Sequence, residues 1–210
     1  VPQVKDWIGG SLSRKQLRRV RIEDLLNRTT ISLENENIHH FIQDKVVLVT
    51  GAAGFVGNNV VRLLADRGHP VRALVRAAGR EREFSGVNCE CVRGDITDPQ
   101  SLSAAMDGVT GVIHAAAIVH IGWTRLEELR RVNVEGTRRV IEAARQKQVR
   151  LVYVSTVDAL GLGKPQRPAD EESPRRGNPL CGYVLTKQAA EQVVRDAVAE
   201  GLDGIIVNPG

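Results

Sequence analysis

KVVLVTGAAGFVG, residues 45–57, joins a short apolar run directly to a turn rich in glycine. The run at 45–50 is typical of a parallel strand that is buried on both faces. In the turn, Gly51 permits a tight bend, Gly54 lets the backbone approach a phosphate, and Gly57 allows close packing of helix on strand. Because the free N–H groups of a helix N-terminus attract anions, this order of strand, turn and helix predicts a pyrophosphate-binding turn.

Strands and helices alternate over the rest of the chain. Apolar runs between turn residues predict six strands, at residues 45–50, 71–75, 87–92, 109–114, 150–155 and 204–207. Helical periodicity predicts helices at residues 54–67, 99–106, 126–146 and 183–200. The apolar face of the first helix is expected to consist of Val56, Val60, Leu63 and Leu64. We therefore predict an α/β fold, a Rossmann-like doubly wound parallel sheet with strand order 3-2-1-4-5-6 and a ligand site at the switch point between strands one and four.

Arg76 ends the second predicted strand, about 20 residues past the glycines, where an acidic residue commonly binds the ribose 2′-hydroxyl of NAD. An arginine can instead hold the 2′-phosphate of NADP and stack beside the adenine. Arg80 and Arg82 add positive charge nearby. The sequence thus favours NADP as the cofactor, with NAD as the alternative; a solvated surface arginine would leave the preference undecided.

Two further segments follow strand ends. In GDITD, residues 94–98, Asp95 can accept a hydrogen bond from the adenine amino group and Ile96 can cover the ring, although the same residues could form a helix-capping turn. After the fourth strand, the small residues Ala115 and Ala116 let the backbone run close to the cofactor ribose. His114 is expected to be a hydrogen-bonded residue at the strand end rather than an acid or base.

Tyr183 and Lys187 are separated by four residues, so they share one face of the last predicted helix. Ionising an ordinary tyrosine at neutral pH costs about 4 kcal/mol. A lysine ammonium about 4 Å away supplies about 4 kcal/mol at an effective dielectric constant of about 20. The pair is therefore suited to acid–base chemistry, and the hydroxyl of Thr156, at the end of the fifth strand, could hold a substrate oxygen.

Together these motifs resemble the extended short-chain dehydrogenase/reductases, over roughly residues 45–210, and most of all their dihydroflavonol reductase-like branch. The resemblance is carried by residues 50–57, 71–76, 94–96, 114–117, 133–137, 155–156, 183–187 and 208–210.

The resemblance implies roles for individual residues. Tyr183 would be the catalytic acid or base, Lys187 would bind the nicotinamide ribose and tune Tyr183, and Thr156 would be the catalytic hydroxyl. Asn133 would give structural support or relay a proton. The residues expected to contact the cofactor are Gly51, Gly54, Phe55, Val56, Gly57, Arg76, Asp95, Ile96, Ala115, Ala116, Tyr183, Lys187, Asn208 and Pro209.

Residues 1–44 are polar and include a basic cluster between positions 14 and 21, so we predict an N-terminal arm or linker before a dinucleotide-binding domain at 45–210. The arm could be simply solvated, or it could dock, oligomerise or touch an anionic surface. Residues 21–28 and 42–51 are similar to the segment before the catalytic domain in membrane-anchored nucleotide-sugar dehydratases of polysaccharide synthesis. That similarity offers a second interpretation of the substrate class.

Composition limits the partners. Hydrophobic residues make up 42% of the chain, enough for a core, and the net charge of +4 does not by itself imply nucleic acid. With 3% aromatic residues there are few platforms on which bases could stack, so no nucleic-acid partner is expected. No apolar run approaches the roughly 20 residues of a membrane span. Three cysteines fit a reducing, cytoplasmic compartment, and no metal site is evident.

We predict an NADP-preferring oxidoreductase that acts on a carbonyl or a secondary alcohol. The alternatives are a nucleotide-sugar epimerase or dehydratase with bound NAD, and a non-catalytic dinucleotide-binding module. Members of the resembled family continue for roughly 100 residues past the position of Gly210, in a domain that closes over the substrate. We therefore expect the substrate subdomain to be missing and the site to be open to water.

The resemblance also implies a homodimer, formed through the predicted helices 126–146 and 183–200. Two such helices from each subunit would pack as a four-helix bundle.

Overall fold

The computed structural model describes residues 45–210 other than 165, 174, 176 and 177; the arm predicted at 1–44 lies outside the described residues. The six strands are β1 Val47–Thr50, β2 Val71–Val75, β3 Glu90–Arg93, β4 Gly111–His114, β5 Arg150–Val154 and β6 Gly204–Val207. They form one sheet in the order β3-β2-β1-β4-β5-β6, and every neighbouring pair is parallel. This confirms the predicted fold class and strand order.

Helices connect the strands. The α-helices are α1 Phe55–Asp66, α2 Pro99–Ala105, α3 Leu126–Leu129, α4 Thr137–Lys147 and α5 Gly182–Ala199. Two short 3₁₀-helices, Arg80–Phe84 and Val157–Leu160, were not predicted. Strands β1, β3 and β4 begin two or three residues later than predicted. Before β3 and β4 the residues form turns instead: the Val87 N–H donates to the Phe84 carbonyl and the Val109 N–H donates to the Met106 carbonyl.

Alternating residues of β1 divide the core into two layers. Leu48 packs with residues of α2, α4 and α5 on one side of the sheet. Val47 and Val49 pack on the other side with Val61 of α1 and with Phe84. This alternation follows from the two-residue period of a strand whose two faces are both covered.

The buried face of α1 differs from the prediction. Val60 and Leu64 do pack against the core, but Val56 is 38% exposed and Leu63 is 50% exposed. Gly57 and Val61, one turn apart, are the fully buried residues. The helix is rotated because Gly57 lies directly on the turn: a Cβ at this position would be 2.3 Å from the carbonyl oxygen of Gly51.

The helix predicted at 126–146 is interrupted by a π-helical segment, Arg130–Gly136, between α3 and α4. A wider π turn changes the angular position of the residues that follow, and such segments are frequent at functional sites. Asn133 lies in this segment and is 1% exposed.

The helices bear on two predictions about partners, the absence of a membrane span and the homodimer. Within the described part of the chain, no helix is long and apolar enough to cross a membrane. The homodimer stays a prediction: the side of α4 turned away from the core carries charged residues such as Arg138 and Arg145.

A core substitution on β5 tests this architecture. Leu151 is 0% exposed, so Leu151→Ala should lower the free energy of unfolding by about 2–5 kcal/mol through lost burial and the cavity that remains. Leu63→Ala removes the same atoms from a half-exposed position on α1 and is the matched control, with an expected change within about 0.5 kcal/mol. Urea unfolding measures both; equal losses would contradict the assigned burial.

Candidate functional site

The glycine turn between β1 and α1 is built by close backbone contacts. Gly51 has φ +66°, and a Cβ there would lie 2.6 Å from the Ala116 nitrogen. The N–H of Gly54 donates to the Gly51 carbonyl at 2.8 Å, and Gly54 is the N-cap of α1. Since glycine offers no side-chain acceptor, no side chain caps this N-terminus. The turn therefore presents unoccupied N–H groups of a helix end, the arrangement that binds phosphate.

A cavity of about 490 Å³ opens beside this turn at the carboxyl ends of β1, β2 and β4. Seven of the predicted cofactor-binding residues line it: Gly51, Gly54, Arg76, Asp95, Ile96, Ala115 and Ala116. Gly57 lies buried beneath the turn, whereas Phe55 is 88% exposed and Val56 is 38% exposed at the start of α1. The cavity is at the predicted switch point between β1 and β4, and its glycine cradle has the shape and polarity that a dinucleotide pyrophosphate needs.

Arginines border one side of the cavity. Arg76 follows the last residue of β2 and is exposed. Arg80, which the sequence suggested only as added charge, donates through Nη2 to the carbonyl of Ala53 at 2.8 Å and pairs with Glu83 at 2.8 Å. Arg80 thus links the 3₁₀-helix to the glycine turn. Arg76 also lines the cavity and forms no salt bridge among the described residues.

Asp95 takes part in a local turn as well as lining the cavity. Its Oδ1 accepts hydrogen bonds from the N–H and the hydroxyl of Thr97, each at 2.8 Å. Asp98 caps α2 through the N–H groups of Gln100 and Ser101. The capping turn is therefore present, and the adenine contact proposed for Asp95 would have to use its remaining acceptor capacity.

His114 is a buried structural residue. Its Nδ1 lies 2.7 Å from the Thr50 hydroxyl and its Nε2 lies 3.0 Å from the Thr137 hydroxyl. Because Thr137 donates its own proton to the carbonyl of Asn133, the proton between His114 and Thr137 belongs to Nε2. Burial, with the charge of Lys187, lowers the His114 pKa to about 3, so the imidazole is neutral.

Thr156, Tyr183 and Lys187 meet at the carboxyl end of β5. Lys187 is 3% exposed; its Nζ donates to the Val154 carbonyl at 2.8 Å and lies 4.3 Å from the centre of the Tyr153 ring. Burial lowers the pKa of Lys187 to about 8, and the charge of Glu191 opposes that shift.

The pKa of Tyr183 is raised, first by burial and then by the charge of Asp158, while a hydrogen bond with Thr156 lowers it in part. The four-residue spacing predicts a pKa lowered by Lys187. In the structure the Lys187 ammonium is directed at the Val154 carbonyl, and the net shift is upward.

Asn133 connects this group to the cavity. Its Oδ1 accepts from the N–H of Ile118 at 2.8 Å and its Nδ2 donates to the carbonyl of Ile118 at 3.0 Å. The same Nδ2 lies 3.1 Å from the hydroxyl of Thr186 on α5. Asn133 therefore clamps the cavity-lining loop after β4 to the helix that carries Tyr183 and Lys187.

The sequence analysis missed Glu191. This carboxylate is 0% exposed and one helical turn beyond Lys187. Burial works to raise its pKa, but hydrogen bonds from Arg195, Ser155 and Asn208, together with the charge of Arg175, hold it below the usual value. The positions of Tyr183, Lys187 and Glu191, each four residues apart, could have indicated a shared helix face.

The end of β6 completes the site. Asn208 donates through Nδ2 to the Thr156 carbonyl at 3.0 Å, and the Pro209 carbonyl accepts from the N–H of Val157 at 3.1 Å. Asn208 Oδ1 is buried and has no hydrogen-bond partner among the described residues. In the same part of the chain, no group of three or more His, Cys, Asp or Glu side chains could hold a metal ion.

Comparison with known proteins identifies relatives of this arrangement. Residues 47–210 match the model of the NAD dependent epimerase/dehydratase family. A 4-hydroxy-2-methyl-3-oxo-4-farnesyl-3,4-dihydroquinoline-1-oxide ketoreductase from Stigmatella aurantiaca is 36% identical over 77% of this chain and 48% of its own length. A putative dihydroflavonol 4-reductase from Synechocystis sp. is 39% identical over 77% of this chain and 47% of its own length.

A solved structure shows the same fold. A short-chain dehydrogenase/reductase superfamily protein from Agrobacterium tumefaciens, crystallised with bound NAD, is 35% identical with a TM-score of 0.66 over 78% of this chain and 48% of that chain. The chain thus spans about half the length of the relatives that it matches.

Two glycines with similar backbone angles test the turn. Gly51 and Gly68 have φ of +66° and +75°, but a Cβ meets backbone only at Gly51. Both alanine variants carry the strain of a left-handed backbone, about 1 kcal/mol. Gly51→Ala should in addition abolish dinucleotide binding in isothermal titration calorimetry, whereas Gly68→Ala should bind like the wild type. Unchanged binding by a folded Gly51→Ala variant would show that the turn does not hold the cofactor.

Proposed function

The chain belongs to the NAD dependent epimerase/dehydratase family, and from this premise we propose that it binds NADP(H) in preference to NAD(H) and supports hydride transfer to a carbonyl or from a secondary alcohol. The observation that carries the proposal is the meeting of Thr156, Tyr183 and Lys187 on the sheet edge that also holds the glycine cradle. The names of the two reductase relatives support reduction of a carbonyl.

In this proposal the cavity receives the nucleotide half of the cofactor. The N–H groups at the start of α1, including those of Phe55 and Val56, hold the pyrophosphate. Asp95 and Ile96 border the adenine, and Arg76 binds the 2′-phosphate. Arg76 is suited to that task because it is exposed at the cavity edge and a guanidinium can bind phosphate with two parallel hydrogen bonds.

The proton chemistry is assigned to α5 and the end of β5. When bound, the cofactor donates or accepts the hydride. Tyr183 gives its hydroxyl proton to the developing alkoxide, or takes it back in the oxidation direction, and Thr156 holds the same oxygen. Lys187, with a pKa of about 8, is mostly protonated at neutral pH and supplies positive charge to the site. Asn133 fixes the loop after β4 and the position of α5.

Asn208 and Pro209 are proposed to lie beside the nicotinamide. The buried acceptor Oδ1 of Asn208 is suited to receive a hydrogen bond from a donor such as a carboxamide. Its Nδ2 is already engaged with Thr156 and Glu191, so Oδ1 is the atom that remains for a ligand.

The Agrobacterium relative was crystallised with bound NAD, which supports NAD instead of NADP as the cofactor and, with it, the epimerase or dehydratase alternative. The other alternative is a dinucleotide-binding module without turnover. Cofactor choice tests the first alternative, and turnover tests the second.

Cofactor choice is tested by titrating the chain with NADPH and NADH in a calorimeter. NADPH should bind more tightly, and Arg76→Ala should weaken NADPH about 10-fold to 100-fold, as the loss of a charged contact worth about 1.5–3 kcal/mol requires. NADH affinity should change little. Arg82→Ala, an exposed arginine outside the cavity lining, is the control. Tighter NADH binding by the wild type would support the epimerase alternative.

The proton donor is tested with the two tyrosines of the chain. Tyr183→Phe should keep NADPH binding but lose about 100-fold to 10,000-fold of carbonyl reduction, followed by NADPH absorbance with a panel of ketones. Tyr153→Phe is the control, because it removes only a buried hydroxyl and keeps the aromatic ring that lies beside Lys187. Binding without any turnover by the wild type would support the non-catalytic module.

A further inference from the structure

Glu191 collects hydrogen bonds from four separate segments of the chain. Ser155 Oγ, directly after β5, donates to Oε2 at 2.7 Å, and Asn208 Nδ2, directly after β6, lies 3.2 Å from the same oxygen. On Oε1 the donors are Arg195 of α5 at 2.8 Å and Arg175, from the segment before α5, at 3.1 Å. The carboxylate itself is 0% exposed.

The two carboxylate oxygens of Glu191 accept hydrogen bonds from different kinds of donor. Oε1 receives both guanidinium groups, whose charge compensates the burial of the carboxylate. Oε2 receives only neutral donors, and both of these belong to the strand ends that form the site. Ser155 immediately precedes Thr156, and Asn208 also donates to the Thr156 carbonyl at 3.0 Å. The two guanidinium groups therefore keep Glu191 ionised, and the two neutral donors connect it to Ser155 and, through Asn208, to the backbone carbonyl of Thr156.

Lys187 also contacts the end of β5. Its Nζ donates to the carbonyl of Val154, so each of the three consecutive residues 154–156 forms a hydrogen bond with a residue of α5 or with Asn208, directly after β6. Lys187 and Glu191 are one turn apart on α5. Helix α5 thus holds the two residues before Thr156, Val154 through Lys187 and Ser155 through Glu191.

We infer that Glu191 is a positioning residue, which fixes the backbone turn that carries Thr156 through its hydrogen bonds with Ser155 and Asn208. The inference rests on the proposed function for its catalytic meaning. A role in stability alone explains it less well, because a buried ion pair frequently contributes little net stability compared with an apolar replacement. A purely stabilising role also leaves unexplained why the neutral donors to Oε2 come from the ends of β5 and β6, the two strand ends at the site.

The test reads the ionisation of Tyr183 directly. Tyr153→Phe leaves Tyr183 as the only tyrosine of the chain, so phenolate absorbance after a rapid jump to alkaline pH reports Tyr183 before the protein unfolds. In this background we compare Thr156→Val, Glu191→Gln and the double variant. Glu200→Gln, which removes an exposed carboxylate from the end of the same helix, is the matched control.

Because the hydrogen bond with Thr156 lowers the pKa of Tyr183, Thr156→Val should raise the midpoint. Glu191→Gln should raise it in the same direction, and the double variant should move it no further than Thr156→Val alone. The upward direction is informative, since removal of a negative charge by itself would lower a tyrosine pKa. Glu200→Gln should leave the midpoint unchanged.

A Glu191→Gln variant that unfolds more easily but keeps the wild-type midpoint would overturn the inference and leave a structural role. Shifts that add in the double variant would also overturn it, since Glu191 would then act independently of Thr156. If Glu191→Gln does not fold, Ser155→Ala removes one of the two neutral donors to Oε2 of Glu191 and should raise the Tyr183 midpoint by a smaller amount. The phenolate absorbance needs neither cofactor nor turnover. A failure of the proposed function would therefore appear in the cofactor titrations and activity assays and not in this measurement.

Discussion

Three segments of the chain meet at the backbone of Gly51, and no side chain can be accommodated between them. The carbonyl of Gly51 lies against Gly57 of α1, and its Cα faces the backbone of Ala115 and Ala116 after β4. Its left-handed φ adds a second reason for glycine. The contact fixes the angle of α1 to β1 and brings the loop after β4 across the turn. The cavity exists at this point of the sheet because these backbones approach so closely.

A layer of buried polar groups extends from that turn to the helix of Tyr183. His114 forms hydrogen bonds with the hydroxyls of Thr50 and Thr137. Thr137 donates in turn to the carbonyl of Asn133, and the Asn133 side chain donates to the hydroxyl of Thr186. Buried polar atoms are costly unless they are paired, and a fully paired network fixes a unique arrangement of the elements that contribute to it. The neutral imidazole is essential here, since a second cation beside Lys187 would need compensation that the network does not offer.

The sequence was sufficient where backbone geometry dictates residue type. The glycine turn and the shared helix face of Tyr183 and Lys187 follow from local patterns, because turns and helix faces are short-range properties. The strand order follows from the alternation of strands and helices along the chain. The rotation of α1 was missed because Gly57, without a side chain, determines which face is buried. The π-helical segment at Asn133 and the partners of Glu191 were missed because both depend on contacts between residues far apart in the chain. Arg80 was taken for general charge, and only the fold brings it to the carbonyl of Ala53.

Lys187 carries a cost in stability that the proposed chemistry would explain. Its folded-state pKa of about 8 lies below the ordinary 10.5, so the folded chain binds this proton less tightly than the unfolded chain. The resulting cost, on the order of 3 kcal/mol, is fully present below the folded pKa and is relieved as the pH rises from about 8 to 10.5. Glu191 reduces the cost by raising the pKa of Lys187, and the Val154 carbonyl and the Tyr153 ring give the ammonium partners. A fold selected for stability alone would place an apolar residue at position 187. The buried ammonium therefore supports the proposed role of Lys187, in which the site uses its positive charge.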